Sequence, residues 1–284
     1  MIRNNAHKYS VSAMCLVLKF PRSTYYYDAK RIEKKEPFTE LVIQIFRESR
    51  NNYGTRRIKA ALKRKGHRLS RKRIRRIMKA NGLVSNYTVA QYKAHARKAP
   101  ESKIPNRLNR QFDEHPPYAV MVSDLTYVRV GGKWHYICLL ADLFNREIVG
   151  YSAGPRKTAE LVQQALSKVK GNLNQVQLFH TDQGSEFNNP LMASALKTFG
   201  IEPSMSLKGC PYDNAVAEAT FKSFKIEFIY QHQFEDLSHL RRELTDYVNW
   251  FNRLRLHSSL DYNSPWEYRD LYQYNFPSQP VESL

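Results

Sequence analysis

Residues 118–130 read YAVMVSDLTYVRV, Gly131-Gly132 follow, and residues 133–144 continue as KWHYICLLADLF. Two apolar runs rich in Val, Tyr, Ile and Leu and joined by two glycines are the sequence pattern of a β-hairpin, because glycine tolerates the backbone angles of a tight turn. Asn145 and Arg146 then turn the chain into EIVGYSA (147–153), a third strand. Beyond it the apolar period changes. TAELVQQALSKVK (158–170) reads as a helix, QVQLFHT (175–181) as a short strand, NNPLMASALKTFG (188–200) as a helix ending at Gly200, and IEPSMS (201–206) as a last strand. After a Gly-Cys-Pro loop come NAVAEATFKSFKIEFIYQ (214–231) and SHLRRELTDYVNWFNRLR (238–255), both helical in pattern. Three strands followed by alternating helix and strand predict an α/β layout with a mixed sheet.

Acids sit in this framework where strand chemistry does not ask for them. Asp124 lies inside the first strand, between Ser123 and Leu125. Asp182 ends the fourth strand in LFHTDQGSEF (178–187), and the carboxyl ends of strands are where ligands gather in α/β sheets. Glu218 follows on a helix with 35 residues between it and Asp182. Folded together, the three would form an oxygen-rich site suited to Mg²⁺. Asp142 is a rival strand acid, read as the acceptor of a structural hydrogen bond. Glu186 and Asp213 are either acids that support the site from behind or turn residues, with the turn reading preferred, and His180 is read as a core or DNA-facing residue rather than a base. Asn214, four residues before Glu218, either orients the site or caps a helix.

The charge is unevenly spread. Of a formal +19, residues 1–110 contribute 29 Lys+Arg against 6 Asp+Glu, and residues 111–284 contribute 16 against 20. A polycationic end joined to a slightly acidic remainder points to nucleic-acid binding. The cations are densest in TRRIKAALKRKGHRLSRKRIRRIMKANGL (55–83), where Ile58, Ala61 and Leu62 mark one helix and Gly66 stops it. Ser70 caps a second helix with Ile74, Ile77 and Met78 on its apolar face, closed by Asn81-Gly82. This is a helix-turn-helix pattern whose second helix offers Arg71, Lys72, Arg73, Arg75, Arg76 and Lys79 to phosphates. The aperiodic basic stretch 86–115 reads as a linker. Cys15, Cys138 and Cys210 are too scattered for a disulfide framework or a zinc knuckle, which fits a reducing cytoplasm, and Cys15 and Cys138 are expected to be buried thiols. No apolar run reaches membrane-spanning length, and no cleavable leader is legible.

Six segments, in order, carry a resemblance: YGTRRIKAAL…RIRRIMKANGL (53–83), VSDLTYV (122–128), ADLFNREIVGYS (141–152), HTDQGSEF (180–187), SLKGCPYDNAVAEATFKSFKIE (206–227) and YVNWFNRLRLHSSLDYNSPWEY (247–268). Over nearly its whole length the chain resembles the transposases of bacterial insertion sequences, in the second-reading-frame group whose catalytic domain is shared with retroviral integrases. The resemblance implies an RNase H-like core with Asp124, Asp182 and Glu218 as the catalytic and metal-holding triad, served by Mg²⁺ or Mn²⁺, two ions in number. It places a basic residue at Lys225, seven positions beyond Glu218 and so on the same helix face. Lys208 and Lys225 join the helix-turn-helix cations as expected DNA contacts. No His/Cys zinc spacing is present, so no structural zinc is expected.

The organisation so implied is a helical segment (1–50), a helix-turn-helix domain (51–85), a basic linker (86–115), an RNase H-like core (116–235) and a C-terminal helical extension (236–284). The expected partners are transposon ends, target DNA and further copies of the chain. The resemblance also implies a complete transposase made as a frameshifted fusion with an upstream-frame partner that brings a coiled coil. The chain starts at Met1 without such a heptad segment, so it is read as the downstream product alone, with that partner or fusion as a further expectation. Trp250 is expected to pack, whereas Arg253, Arg255 and His257 are weighed as DNA contacts against a helix-end role. Two other functions stand beside transposition: a catalytically silent DNA-binding regulator, and an RNase H-like nuclease acting on hybrids or junctions.

Overall fold

The computed structural model describes residues 1–27, 36–88, 104–170, 173–207 and 210–275. The chain divides into two compact units, residues 1–39 and 40–284. The first holds α1 (Ile2–Asn5), α2 (Val11–Val17) and α3 (Arg22–Tyr26). Ser10 caps α2 by accepting a hydrogen bond from the Ala13 N–H at 3.2 Å, and Cys15 is buried in it.

After α4 (Thr39–Glu48), the second unit forms α5 (Thr55–Arg64) and α6 (Arg71–Ala80). Ile58 and Leu62 are the buried face of α5, and Ile74, Ile77 and Met78 that of α6. Gly66, at φ +83°, reverses the chain between them where a side chain would be strained. Ser70 then caps α6 by accepting from the Arg73 N–H at 3.2 Å.

The sheet is built from β1 (Val120–Val130), β2 (Lys133–Asp142), β3 (Ile148–Gly154), β4 (Leu178–Thr181) and β5 (Glu202–Met205), in the order β3-β2-β1-β4-β5. β2 pairs antiparallel with β1 and β3, while β4 pairs parallel with β1 and β5. The carboxyl ends of β1, β3 and β4 therefore meet at one edge. Between strands run α7 (Ala159–Leu166) and α8 (Pro190–Thr198), and after β5 come α9 (Ala215–Glu227), α10 (Leu237–Arg253) and α11 (Pro265–Asn275). Residue parity fixes the two faces. Met121, Cys138 and Leu140 pack with the apolar residues of α7 and α8, whereas Val128, Val130, Ile137 and Leu139 pack with Phe221, Phe224, Leu244 and Tyr247 of α9 and α10. From residue 104 on, the basic stretch lies against the sheet: Leu108 is buried, and its N–H and that of Arg107 donate to Ser204 Oγ at 3.2 and 2.9 Å.

One polar network is buried beneath the helices. Arg255 Nε donates to both oxygens of Glu227, the last residue of α9, at 2.9 and 2.8 Å. Tyr247 donates to the same carboxylate at 3.0 Å, and so does Tyr87, beyond α6. His257 lies 3.0 Å from Arg255 Nη1, and burial, followed by that guanidinium, holds its imidazole well below its ordinary pKa. Arg255 and His257, weighed as DNA contacts, are core residues instead. Trp250 packs as expected, with its indole N–H on the Glu48 carbonyl at 3.2 Å. Replacing Arg255 with Ala strands a carboxylate in the interior, so Arg255→Ala should cost about 3–5 kcal/mol in denaturant unfolding. A loss under 1 kcal/mol, the size expected of an exposed pair, would show the network to be dispensable.

Candidate active site

The parallel register between β1 and β4 sets Val122 opposite His180. Two residues farther along each chain stand Asp124 and Asp182, so the backbone brings these two carboxylates to the same level of the sheet. Burial, and then the like charge of Asp182, push the Asp124 carboxyl up to about 7; the Leu125 N–H, Lys225 and Lys157 pull the other way. Asp182 turns its Oδ1 back to accept from the Gly184 N–H at 3.0 Å, which fixes the start of the loop.

Lys225, half-buried on α9, is placed where its charge reaches Asp124. Glu218 lies seven residues earlier on the same face of that helix. Its carboxylate is exposed and raised by partial desolvation alone, with no contribution from either aspartate. The structure thus couples Asp124 with Asp182 and leaves Glu218 on the neighbouring helix; among the described residues no group of three acids, histidines or cysteines is disposed to hold a metal ion. A pair of partly desolvated carboxylates repelling each other is nonetheless a donor set that fits a hard divalent cation, because only a cation relieves both charges at once. Asn214 occupies the N-cap position of α9 but makes no capping bond, and its buried Oδ1 has no partner.

Two residues at this edge escaped the sequence reading. Glu186 stands in the turn closed by the Phe187 and Asn188 N–H groups on the Gly184 carbonyl, and it is also a buried partner: it is 3 % exposed, and its Oε1 lies 2.8 Å from Lys157 Nζ while Oε2 has no partner. Lys157, three residues past the end of β3, also feels Asp182 and Asp124. Its position at the carboxyl end of a strand parallel to β1 was the available signal. Gly184 is needed because a Cβ there would stand 2.3 Å from Glu186 Oε1. Asp213 is likewise a buried partner rather than a turn residue, accepting from Arg110 Nε at 2.7 Å and from the Leu207 N–H at 3.1 Å. Asp142 serves the structural role, accepting from the N–H groups of Tyr118 and Phe144 at 2.9 and 3.0 Å, and is pushed up to about 6 by its burial. His180 is fully buried, bonded to Ser204 Oγ at 2.8 Å, and lowered to about 4 by desolvation, so it is a neutral core residue. On α6, Arg71, Lys72, Arg75, Arg76 and Lys79 are exposed and Arg73 is half-buried. Lys208 lies outside the described residues.

Comparison with known proteins identifies the family. Family models described as "Integrase core domain" match residues 114–211 and 218–271, and one described as "HTH-like domain" matches residues 33–91. The putative transposase InsK for insertion sequence element IS150 of Escherichia coli (strain K12) is 31% identical, over 92% of this chain and 94% of the relative. The chain belongs to the insertion-sequence transposase family. The transposase for insertion sequence element IS904 of Lactococcus lactis subsp. lactis is 32% identical over 87% of this chain and 98% of the relative, and transposase InsF for IS3A of E. coli is 30% identical over 95% and 97%. Among solved structures, the HTLV-2 integrase catalytic core domain in complex with magnesium is 15% identical with a TM-score of 0.42, covering 53% of this chain and 95% of that one. A simian T-cell lymphotropic virus intasome is 12% identical with a TM-score of 0.47, covering 86% and 77%.

In this family member two consequences of the site's electrostatics and packing can be measured. In metal-free protein, carbon-13 NMR should find Asp124 titrating near 7, and Asp182→Asn should lower that value without restoring 3.8, because burial is the larger cause. A folded-state pKa above the unfolded one means that stability is lost as pH rises from about 4 to about 7, and Asp124→Asn should flatten that slope. An Asp124 that titrates near 3.8 would contradict the placement. Gly184→Ala should cost on the order of 1–3 kcal/mol. Its combination with Glu186→Ala should cost less than the two single losses added together, since the second change removes the atom that the new methyl strikes.

Proposed function

We propose that the chain nicks insertion-sequence ends and joins each freed 3′-hydroxyl to another DNA strand, with Asp124, Asp182 and Glu218 as its catalytic carboxylates. The observation that carries this reading is the registered, coupled pair Asp124–Asp182 at the carboxyl edge of a mixed sheet, in a chain of this family. Water attacking phosphorus releases the 3′-hydroxyl of a nicked end; that hydroxyl, attacking a target phosphodiester, forms the new P–O bond and expels the target's 3′-oxygen. Divalent ions, Mg²⁺ or Mn²⁺, bound by the three carboxylates would activate the attacking oxygen and stabilise the leaving one.

What the chain's own residues do follows from their charge and position. The two aspartates form a rigid anionic edge, which repels phosphate unless cations stand beside it. Lys225 on α9 and Lys157 beyond β3 supply such cations from opposite faces of the sheet. Arg71, Lys72, Arg73, Arg75, Arg76 and Lys79 on α6, with Lys208, give most of the affinity for the DNA ends. Joining two ends to one target asks for more than one active site, so the working form is a multimer on DNA, in which a fusion with an upstream-frame product is one arrangement. Among the described residues no helix is long and apolar enough to cross a membrane. Such a DNA-acting chain works in the cytoplasm, at the nucleoid.

Asp124→Asn, Asp182→Asn and Glu218→Gln should each lower strand transfer by at least about two orders of magnitude while leaving end binding within a few-fold. Arg75→Ala with Arg76→Ala should do the reverse, weakening end binding and reducing its log–log salt slope by roughly 0.9 for each phosphate no longer neutralised. Strand transfer retained in any one of the acid variants would remove that residue from the site.

A further inference from the structure

The sheet carries a second surface that neither its core nor the acid pair explains. The register of the β-hairpin sets Tyr127 opposite Tyr136 and Arg129 opposite Trp134. All four have the parity of Met121 and Cys138, so they stand together on the α7/α8 face as a two-by-two tile. Tyr136 is half-buried, but Tyr127 is 49 % and Trp134 50 % exposed. Their rings meet edge to face at 5.1 Å, and the Arg129 guanidinium lies 4.9 Å from the Trp134 ring centroid. Packing does not require aromatics here, since Val128 and Val130 on the opposite face already anchor this end of the hairpin in the core.

We propose that this tile binds unpaired nucleobases of the DNA strand that runs to the acid pair. Flat π-faces beside guanidinium and ammonium groups are what stacking on single-stranded nucleic acid uses; a paired base hides its faces inside the duplex. The charge at the tile suits an anion: Arg129 belongs to it, exposed Lys133 begins β2, and Arg156 and Lys157 follow β3. The acids nearest the hairpin tip, Glu235 and Asp236, follow Phe234, which bridges to Val130, the last residue of β1. The tile connects to the active site through Lys157. Tyr136 pairs with Gly154, Lys157 stands three residues on, and its charge reaches Asp182 and Asp124. Tyr127 lies three residues beyond Asp124 along β1, roughly 10 Å at 3.3 Å per residue, on the opposite face of the strand, so the path from tile to acids turns around the carboxyl edge of the sheet. A strand whose bases lie on the tile would thus pass Lys157 on its way to the acids. The inference rests on DNA being the substrate, though not on the chemistry assigned to the acids.

The test is direct binding by the full chain in the presence of a metal chelator. A short oligothymidylate and a blunt duplex of equal length are titrated against intrinsic tryptophan fluorescence. The single strand should quench that fluorescence, and Trp134→Phe should abolish the quench while retaining affinity, because Trp250 and Trp266 stand elsewhere. Tyr127→Ala and Trp134→Ala should each weaken oligothymidylate binding about tenfold; Tyr127→Phe, which keeps the ring, should not. Arg75→Ala with Arg76→Ala should spare oligothymidylate binding and weaken duplex binding, which separates failure of the tile from failure of the helix-turn-helix. Oligothymidylate binding unchanged in folded Tyr127→Ala/Trp134→Ala, judged by circular dichroism, overturns the proposal. So does a change of sedimenting species in that variant with single-strand affinity intact, which would make the tile a contact between copies.

Discussion

Two like charges placed side by side at the half-dry edge of a sheet are the constraint that organises this molecule. The parallel register of β1 and β4 leaves Asp124 and Asp182 no freedom to separate, and burial raises the cost of ionising them together. Surrounding features answer that cost or keep it fixed. Lys225 approaches from α9 and Lys157 from the end of β3. Glu186, buried under Gly184, ties Lys157 down and so determines where its charge acts. A bulkier residue at 184 would push that carboxylate away from its place beside Lys157. The site is thus poised for an added cation by its packing, before any ligand arrives.

How much of this was legible in the sequence depends on how local each signal is. The hairpin was readable because Gly131-Gly132 and alternating apolar residues act within a dozen positions, and the α5–α6 pair because Ser70, Gly66 and Gly82 mark helix ends one at a time. The acids at 124 and 182 were readable because charge inside a strand needs a reason. Glu186 and Asp213 stayed open between a turn and a supporting role for the complementary reason. An acid near Gly or Pro looks like a turn, and only tertiary structure reveals Lys157 or Arg110 beside it. Arg255 and His257 misled in the same way. On an amphipathic segment a basic residue looks solvated, and its partner Glu227 is 28 residues away on another helix.

The buried Glu227–Arg255 network also bears on how binding and chemistry are connected. On the proposed reading, affinity resides in α6, whose cations face solvent, and chemistry at the edge of the sheet. Polar joints connect them among the described residues. Tyr53 accepts from the Leu256 N–H at 2.7 Å, Arg50 pairs with Asp246 at 2.7 Å, Arg64 pairs with Glu267, and Tyr87 reaches Glu227. Arg57 on α5 lies over both Tyr53 and Tyr87, so the first helix of the DNA-binding pair touches the same joint.

The joint with Glu227 matters most, because that residue ends the helix on which Glu218 and Lys225 are displayed. A helix is stiff over 13 residues, so fixing its last turn fixes the direction in which its first turn points. Binding energy gained on phosphates far from the reacting bond accelerates a reaction only if it is converted into position at that bond. A loose tether between α6 and α9 would dissipate it. A buried, charge-assisted network with one member on each side is stiff enough for such conversion, at the cost of desolvating an arginine and a glutamate that simpler apolar packing would have spared.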